Sequence, residues 1–340
     1  KYPEKKIVLG GVISNHLAVK FTRSQSLNKY FDFLISGEGE TALLGLTKHL
    51  ENGFEIEQIP NLYYKSNGQW RSNNKLIVEQ VEKIPTPNYD GFPLDAYLAP
   101  KPILSIEPGR GCYYRKCTFC NQHSIHKGHF NIKKVDSIFN QIRVLKKKYN
   151  SNYFNLSNEG IPILHLKKLA LKLIEEKTDI YWYAGARLSD KLDVETCQTL
   201  YKSGCRKLLF GLESGNQRIL DLMKKDVNLD KVPDIFNNCK KAGIDIVTYL
   251  MIGFPTEKEH EINDTTQFII KNLPNILPEG FVFYISVFQA MIDSPILELL
   301  PEYGYELIEK DGYDLIYIYT HKKTKDDSKY TRVFYEDKIK

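Results

Sequence analysis

The sequence has little cysteine, little net charge and no long apolar run. Six cysteines in 340 residues exclude the disulfide framework that small secreted domains need. Three of them, Cys197, Cys205 and Cys239, are scattered, which suits a reducing cytoplasm. A net charge of +5 is too small to argue for a nucleic-acid partner. Lysine runs such as Lys146-Lys147-Lys148 read as solvated helix faces. The longest mostly apolar run, "IDIVTYLMIGF", falls far short of the roughly 20 residues that span a membrane. No signal-peptide pattern opens the chain, which starts at Lys1 without Met, and no internal repeat or low-complexity segment stands out. What remains, 42% hydrophobic and 26% charged, describes a globular protein with room for one large domain or two.

Apolar runs and turn residues divide the chain. "KKIVLGG" and "FDFLISGEGE" read as short strands, and "TALLGLTKHLENG" spaces Leu43, Leu44, Leu46 and Leu50 as a helix ending at Asn52-Gly53. Strand, strand and helix are too few for an α/β domain, so residues 1–58 read as the last part of one whose earlier strands lie upstream. Asn67-Gly68 between aromatic-rich arms signals a hairpin. Five prolines in "KIPTPNYDGFPLDAYLAPKP" then mark an extended linker, giving a hairpin-and-linker unit over 59–102.

From 103 to 290, six strand candidates ("ILSIEP", "YFNLS", "IYWYAGAR", "KLLFGLE", "IVTYLMIGF", "FVFYISVF") alternate with helical stretches. The clearest helix places Val135, Ile138, Phe139, Ile142 and Leu145 on one face. Others are expected over about 163–176, 193–203, 229–242 and 257–272. Such alternation implies parallel pairing through right-handed crossovers. An α/β fold is expected, as a partial (βα)6 TIM-like barrel or a doubly wound sheet. Residues 291–340 form a C-terminal extension in which "DLIYIYTHKKTKDDSKYTRVFYEDKIK" reads as strand, turn and strand.

The chemistry concentrates in "GRGCYYRKCTFCNQHSIHKGHF", where Cys112, Cys117 and Cys120 lie within nine residues. The spacing C-x(4)-C-x(2)-C lets one loop carry three thiolates, which would repel one another without a metal. Three readings stay open on the residues alone. Zinc needs a fourth ligand, for which His123 or His126 is nearby. A plant-type ferredoxin needs a fourth cysteine, and the next is Cys197 on a helical stretch. A [4Fe-4S] cluster held by three cysteines leaves one iron open. Apart from metal, His123, His126 and His129 read as loop or surface residues. Tyr113, Tyr114 and Arg115 lie inside the loop.

An "RGC…CTFC" loop after the first strand of a (βα)6 pattern resembles the radical S-adenosylmethionine superfamily. The one-residue departure from the usual C-x(3)-C-x(2)-C resembles a subset of its cobalamin-binding branch. "IVLGG", "FDFLISGEGETALLGL", "IPTPNYDGFPLDAYL", "GLESGNQRILDLMKK" and "MIGFPTE" resemble further parts of that branch. The resemblance implies a Rossmann-like cobalamin-binding remnant before the barrel, with Gly10-Gly11 against the nucleotide tail of cobalamin. It implies Cys112, Cys117 and Cys120 as ligands of a [4Fe-4S] cluster whose fourth iron is chelated by S-adenosylmethionine. Phe119 would lie near the adenine, Glu159 (with Asn158) near the amino group, and Arg187 near the carboxylate. Glu213 and Ser214 would serve ribose and carboxylate, and Gly253, Phe254 and Pro255 the adenine-side turn.

The implied activity is reductive cleavage of S-adenosylmethionine to a 5′-deoxyadenosyl radical that functionalises an unactivated carbon, with cobalamin-dependent C-methylation as one outcome. Rearrangement, cyclisation or epimerisation are the alternatives within the branch. An iron–sulfur electron carrier or a zinc-binding module are the alternatives outside it. Expected partners are a small-molecule or peptide substrate and a reductant such as flavodoxin or ferredoxin, in the cytoplasm, without nucleic acid. Without the resemblance, the glycines and prolines after strands are turn residues. Arg187 then pairs with Asp190 or Glu213, and Glu213, following an apolar strand, needs a partner.

Overall fold

The computed structural model describes residues 4–24, 26–73, 75–99, 101–272, 282–308 and 316–321. All six strand candidates become strands of one sheet: β5 (Ile103–Ile106), β8 (Tyr153–Ile161), β9 (Tyr181–Ala186), β10 (Cys205–Glu213), β11 (Asp245–Ile252) and β12 (Val282–Val287). Every neighbouring pair is parallel and the strands lie side by side in chain order. Helices α4 (Val135–Tyr149), α5 (Ile163–Glu175), α6 (Val194–Lys202) and α8 (Val232–Ala242) make the crossovers, with the short α7 (Gln217–Leu222) before α8. Helix α9 (Glu259–Asn272) follows β11.

Each helix buries the stripe that its sequence period sets. In α4 the buried apolar residues are Ile138, Phe139, Ile142 and Leu145, spaced three and four apart, and the chain leaves the helix at Asn150 in the left-handed region. In α6, Asp193 caps the N-terminus by accepting from the Thr196 amide. These stripes meet Leu104, Phe154, Trp182, Leu208, Phe210 and Ile246 from the sheet in one continuous core. Burial on that scale, at roughly 25 cal/mol per Å² of apolar surface, is the main favourable term of the fold.

The N-terminal part forms its own four-stranded sheet in the order β1 (Val8–Leu9), β2 (Phe33–Ile35), β3 (Leu62–Ser66), β4 (Gln69–Ser72). Strands β3 and β4 are the expected hairpin, turning at Asn67 and Gly68, both at positive φ as a type I′ turn requires. The hairpin is no separate excursion: β3 pairs antiparallel with β2 and extends the sheet. Helix α2 (Glu40–Asn52) closes one face through Ala42 and Leu46. A helix outside the sequence expectation, α1 (Val12–Arg23), packs Leu17, Ala18 and Phe21 against Leu34, Phe31 and Ile292.

The linker runs along the main sheet, with the Tyr89 hydroxyl donating to the Ser105 carbonyl and its amide to the Tyr149 hydroxyl. In the C-terminal extension, β13 (Ala290–Met291), helix α10 (Ile296–Leu299), β14 (Tyr305–Ile308) and β15 (Ile316–His321) are described, with the strands antiparallel. The rest of the expected strand–turn–strand, 322–340, lies outside the described residues. Among the described residues no helix is long and apolar enough to cross a membrane.

The sheet also sets a tight constraint between α6 and β10. Gly204 has φ +97°, and a Cβ there would sit 1.9 Å from the Ile180 carbonyl oxygen, with no flexible side chain to give way. Gly204→Ala is therefore expected to cost about 3 kcal/mol, read as a lower urea midpoint with an unchanged slope.

Candidate functional site

The cysteine loop leaves the C-terminal end of β5 and is held at several points. A two-stranded ribbon closes its base, β6 (Gly109–Arg110) pairing with β7 (Asn131–Ile132), and the short helix α3 (Gln122–Ile125) follows Cys120. From β8, the Asn158 side-chain amide donates to the carbonyls of Gly109 (2.8 Å) and Gly111 (3.3 Å). On the far side, the Thr118 amide donates to Met223 O at 2.9 Å and its hydroxyl to Leu222 O at 3.1 Å. The Thr118 carbonyl accepts from the Ile296 amide at 2.7 Å. A loop satisfied this way on both sides keeps its side chains where the backbone points them.

Cys112, Cys117 and Cys120 all line one cavity of about 660 Å³ at the C-terminal ends of the parallel strands. Burial raises the Cys117 thiol above its usual value and pushes Cys120 up to about 11, the other two sulfurs adding to the shift. Unliganded, these two thiols are neutral at pH 7; thiolate character here calls for a metal. Among the described residues no three His, Cys, Asp or Glu side chains come close enough together to hold one metal ion. A zinc ion with bonds of about 2.3 Å needs its sulfurs within about 4 Å of one another. A cluster whose irons each take one sulfur does not require that closeness. His123 lines a different cavity with Ser124 and Asp293, whereas His126 lines the cysteine cavity and stands 3.6 Å from Glu38. The remaining cysteines are core residues: Cys197 and Cys239 are buried with sulfurs 3.9 Å apart, and Cys205 is buried at the start of β10. The fourth-cysteine reading therefore finds no ligand at the cavity.

Of the other expected residues, Phe119, Glu159, Arg187 and Glu213 line the same cavity. Glu213 is 8% exposed and forms an ion pair of 2.7 Å with Lys225. Its backbone has φ +71°, at a register shift between β10 and β11, an irregularity that turns a side chain off the strand's alternation. Gly211 makes room for this pair, since a Cβ there would lie 2.2 Å from Glu213 Oε1 and 2.8 Å from Lys225 Nζ. Arg187 pairs with neither Asp190 nor Glu213. Its guanidinium donates to the Lys225 carbonyl, stacks 3.6 Å above the Tyr114 ring and reaches within 4.0 Å of Cys117 Sγ.

Six expected residues lie away from this cavity. Ser214 is fully buried behind it, with its hydroxyl 3.2 Å from that of Thr265 on α9 and accepting from the Asn216 amide. Gly253, Phe254 and Pro255 form the turn after β11, where the amides of Gly253 and Phe254 donate to Glu257 Oε2. Phe254 packs edge-on against Phe288 at 5.3 Å, within a cluster that Phe119 also joins. That turn supports Phe119 from behind. Gly10 and Gly11 lie between β1 and α1, with no heavy atom within 4 Å of a Cβ built at either.

Two features escaped the sequence reading. Lys225 sits in "LMKKD" among lysines that read as solvent-facing, and only the turn after α7 brings it inward. Arg110 links the loop to the N-terminal sheet, contacting Glu107 (3.1 Å), Glu38 (3.4 Å) and Glu40. The hydrogen bond from Arg110 holds the Glu40 carboxyl below its usual range. For Glu38, burial pulls upward but is outweighed by His126, the Glu79 amide and Arg110, so it too is lowered. The paired acids of "GEGE" were the available signal.

Residues 106–269 match the radical SAM superfamily. An uncharacterised methyltransferase of Pyrococcus horikoshii is 27% identical over 244 residues, covering 71% of this chain and 53% of that protein. The cobalamin-dependent S-adenosylmethionine radical enzyme OxsB with aqua-cobalamin bound superposes with a TM-score of 0.72 at 16% identity, over 92% of this chain and 51% of that one. The radical S-adenosylmethionine methyltransferase TsrM from Kitasatospora setae, with cobalamin and a [4Fe-4S] cluster bound, gives 0.70 at 16%, over 91% and 63%. The chain spans about half the length, or less, of the curated relatives it matches first.

Lys225→Met strands a buried carboxylate and is expected to cost about 3 kcal/mol, with Glu213→Gln in the same chain restoring most of it; denaturation of the two variants checks this. Burial pushes Glu257 from 4.5 up to about 7. Because the folded state then holds the proton more tightly, stability falls as pH rises from about 4.5 to 7. Glu257→Gln should remove that fall, gaining of order 2 kcal/mol over the parent at pH 8 and little at pH 5, as paired melts at the two pH values would read.

Proposed function

Since this chain belongs to the radical S-adenosylmethionine superfamily, we propose that it is the catalytic part of a radical S-adenosylmethionine enzyme that functionalises an unactivated carbon, with C-methylation as the favoured outcome. The observation that carries the reading is the set of three cysteines along one wall of the cavity at the C-terminal ends of six parallel strands. That is the face on which parallel α/β barrels build their active sites. We read the sheet as a partial (βα)6 barrel over 103–290. Residues 1–58 are then the end of a Rossmann-like cobalamin-binding domain, 59–102 the hairpin and linker, and 291–340 an extension.

When bound, the cluster and S-adenosylmethionine supply one-electron cleavage of the sulfonium bond and so a carbon-centred radical for hydrogen abstraction. Cys112, Cys117 and Cys120 are assigned as cluster ligands. Arg187, whose guanidinium faces Cys117 without a carboxylate partner among the described residues, offsets negative charge at that wall and suits the amino-acid carboxylate. Glu159 suits the amino group. Glu213, fixed by Lys225, presents its carboxylate to the ribose, and Phe119 offers an apolar face to the adenine. Ser214, Gly253, Phe254 and Pro255 act from behind, by fixing Glu213 and Phe119. The open surroundings of Gly10-Gly11 are compatible with the tail of cobalamin in the intact protein. The relatives named as methyltransferases favour methylation over rearrangement, cyclisation or epimerisation. The substrate is a small molecule or peptide, and a flavodoxin- or ferredoxin-like reductant supplies the electron.

Anaerobic reconstitution with iron and sulfide should give a brown protein whose spectrum changes on adding S-adenosylmethionine. Cys117→Ala should abolish 5′-deoxyadenosine formation while Cys197→Ala retains it. Tight zinc binding without iron uptake would refute the assignment.

A further inference from the structure

The cavity is chemically divided. Its cysteine end carries charge from Arg110, Arg187, Glu213 and Lys225, and Glu107 and Glu159 also line the cavity. Its sheet end is lined by Asn155, Ser157, Tyr183, Leu209, Gly211 and Tyr249, none of them ionised at neutral pH. Strand register explains the grouping, because side chains two apart share a face. Asn155 lies opposite Tyr183, Gly211 opposite Tyr249, and Tyr249 opposite Tyr284. The Tyr249 and Tyr284 rings stack at 5.6 Å and 20°, making a flat face beside Gly211, whose missing side chain leaves room for the Glu213–Lys225 pair.

Among the described residues the hydroxyls of this face meet no protein partner. Among the described residues, Tyr183, Tyr249 and Tyr284 take part in no hydrogen bond through their phenol oxygens, although Tyr183 and Tyr249 line the cavity. Other tyrosines behave differently: Tyr89, Tyr114 and Tyr149 each engage their hydroxyl with the protein. Burial and a neighbouring phenol raise both Tyr183 and Tyr249 above their usual value, so these hydroxyls stay neutral donors. Farther along the same register, Lys207 stands opposite Asp245, so the charges at that end are of opposite sign.

We propose that the tyrosine-lined sheet end is the substrate site, and that it takes an uncharged molecule with a flat ring face and hydrogen-bonding edges. Stacked phenol rings cover a ring face, and the free hydroxyls with Asn155 and Ser157 meet polar atoms on its edge. A phosphate or carboxylate would be desolvated here without a free cation to receive it, since the Lys225 ammonium beside Gly211 is already paired with Glu213 and Arg187 stands beside Cys117. The inference rests on the reading above, in which that end takes the cofactors.

The test uses the iron-reconstituted protein, with indole as neutral planar probe and indole-3-carboxylate as its anionic counterpart, in equilibrium dialysis. Indole should bind about tenfold tighter than the carboxylate, and Tyr183→Ala with Tyr249→Ala should weaken indole by about tenfold. Tyr249→Phe, which keeps the ring, should weaken it about threefold or less, and it carries the test alone if the double variant fails to take up iron. Equal or tighter binding of the carboxylate overturns the proposal, as does indole binding indifferent to the double variant, or a loss of about tenfold or more in Tyr249→Phe alone. Iron uptake and the spectral response to S-adenosylmethionine are recorded on the same samples. Their failure with indole discrimination intact counts against the cofactor reading alone, and the reverse pattern against the substrate class alone.

Discussion

Holding the cysteine loop is the constraint on which the rest of the site depends. Nine residues carry three sulfurs to one cavity, and within them the Cys120 amide donating to the Cys117 carbonyl at 3.3 Å ties the backbone only locally. The rigidity comes from Asn158 on β8, from the carbonyls of Leu222 and Met223 after α7, and from the Ile296 amide. Each contact belongs to a different part of the chain, so the loop is placed only once the sheet and the extension are both in position. This also explains the proximity of Lys225: the turn that receives Thr118 continues directly into the lysine that pairs with Glu213. One short segment thus fixes the loop's backbone and the charge opposite it.

Charge in the site is arranged as compensation. Glu213 and Lys225 cancel each other, which makes burial of both tolerable, since a lone buried charge costs several kcal/mol. Arg187 is different. Its hydrogen bond goes to a carbonyl and its flat face to Tyr114, so its positive charge stays available beside Cys117. A second node does the same between units, where Arg110 gathers Glu38, Glu40 and Glu107. The residue two before the first cysteine is therefore anchored to the N-terminal sheet, and any movement of that sheet is felt at the loop.

Much of the fold was legible because the signals were local. The six strands and helices α4, α5, α6, α8 and α9 follow from apolar periodicity, and Asn67-Gly68 specified its turn. The cysteine spacing likewise pointed to the loop that lines the cavity. What escaped depended on long-range contact. Helix α1 has a buried stripe whose partners, Phe31 and Ile292, are distant in sequence. Lys225 reads as one more surface lysine until Glu213 is placed beside it. Ser214 and the turn at 253–255 have the right neighbours in sequence, but strand-end geometry points them behind the cavity, where they brace residues that do line it.

The division of the cavity follows from the same strand-end geometry. Within a parallel sheet, residues near the strands' C-terminal ends adjoin loops, which can bring in charged side chains from anywhere in the chain. Residues one or two steps back have only neighbouring strands for company, and register decides what they meet. There the chain places Asn155, Tyr183 and Tyr249 beside Leu209, with Gly211 leaving room for the Glu213–Lys225 pair, rather than a full set of aliphatic side chains that would pack the interior shut. A sheet selected for stability alone would fill that space, since each buried methylene contributes about 0.8 kcal/mol. Leaving phenol hydroxyls without protein partners forgoes that gain, and a ligand that meets those hydroxyls recovers it on binding.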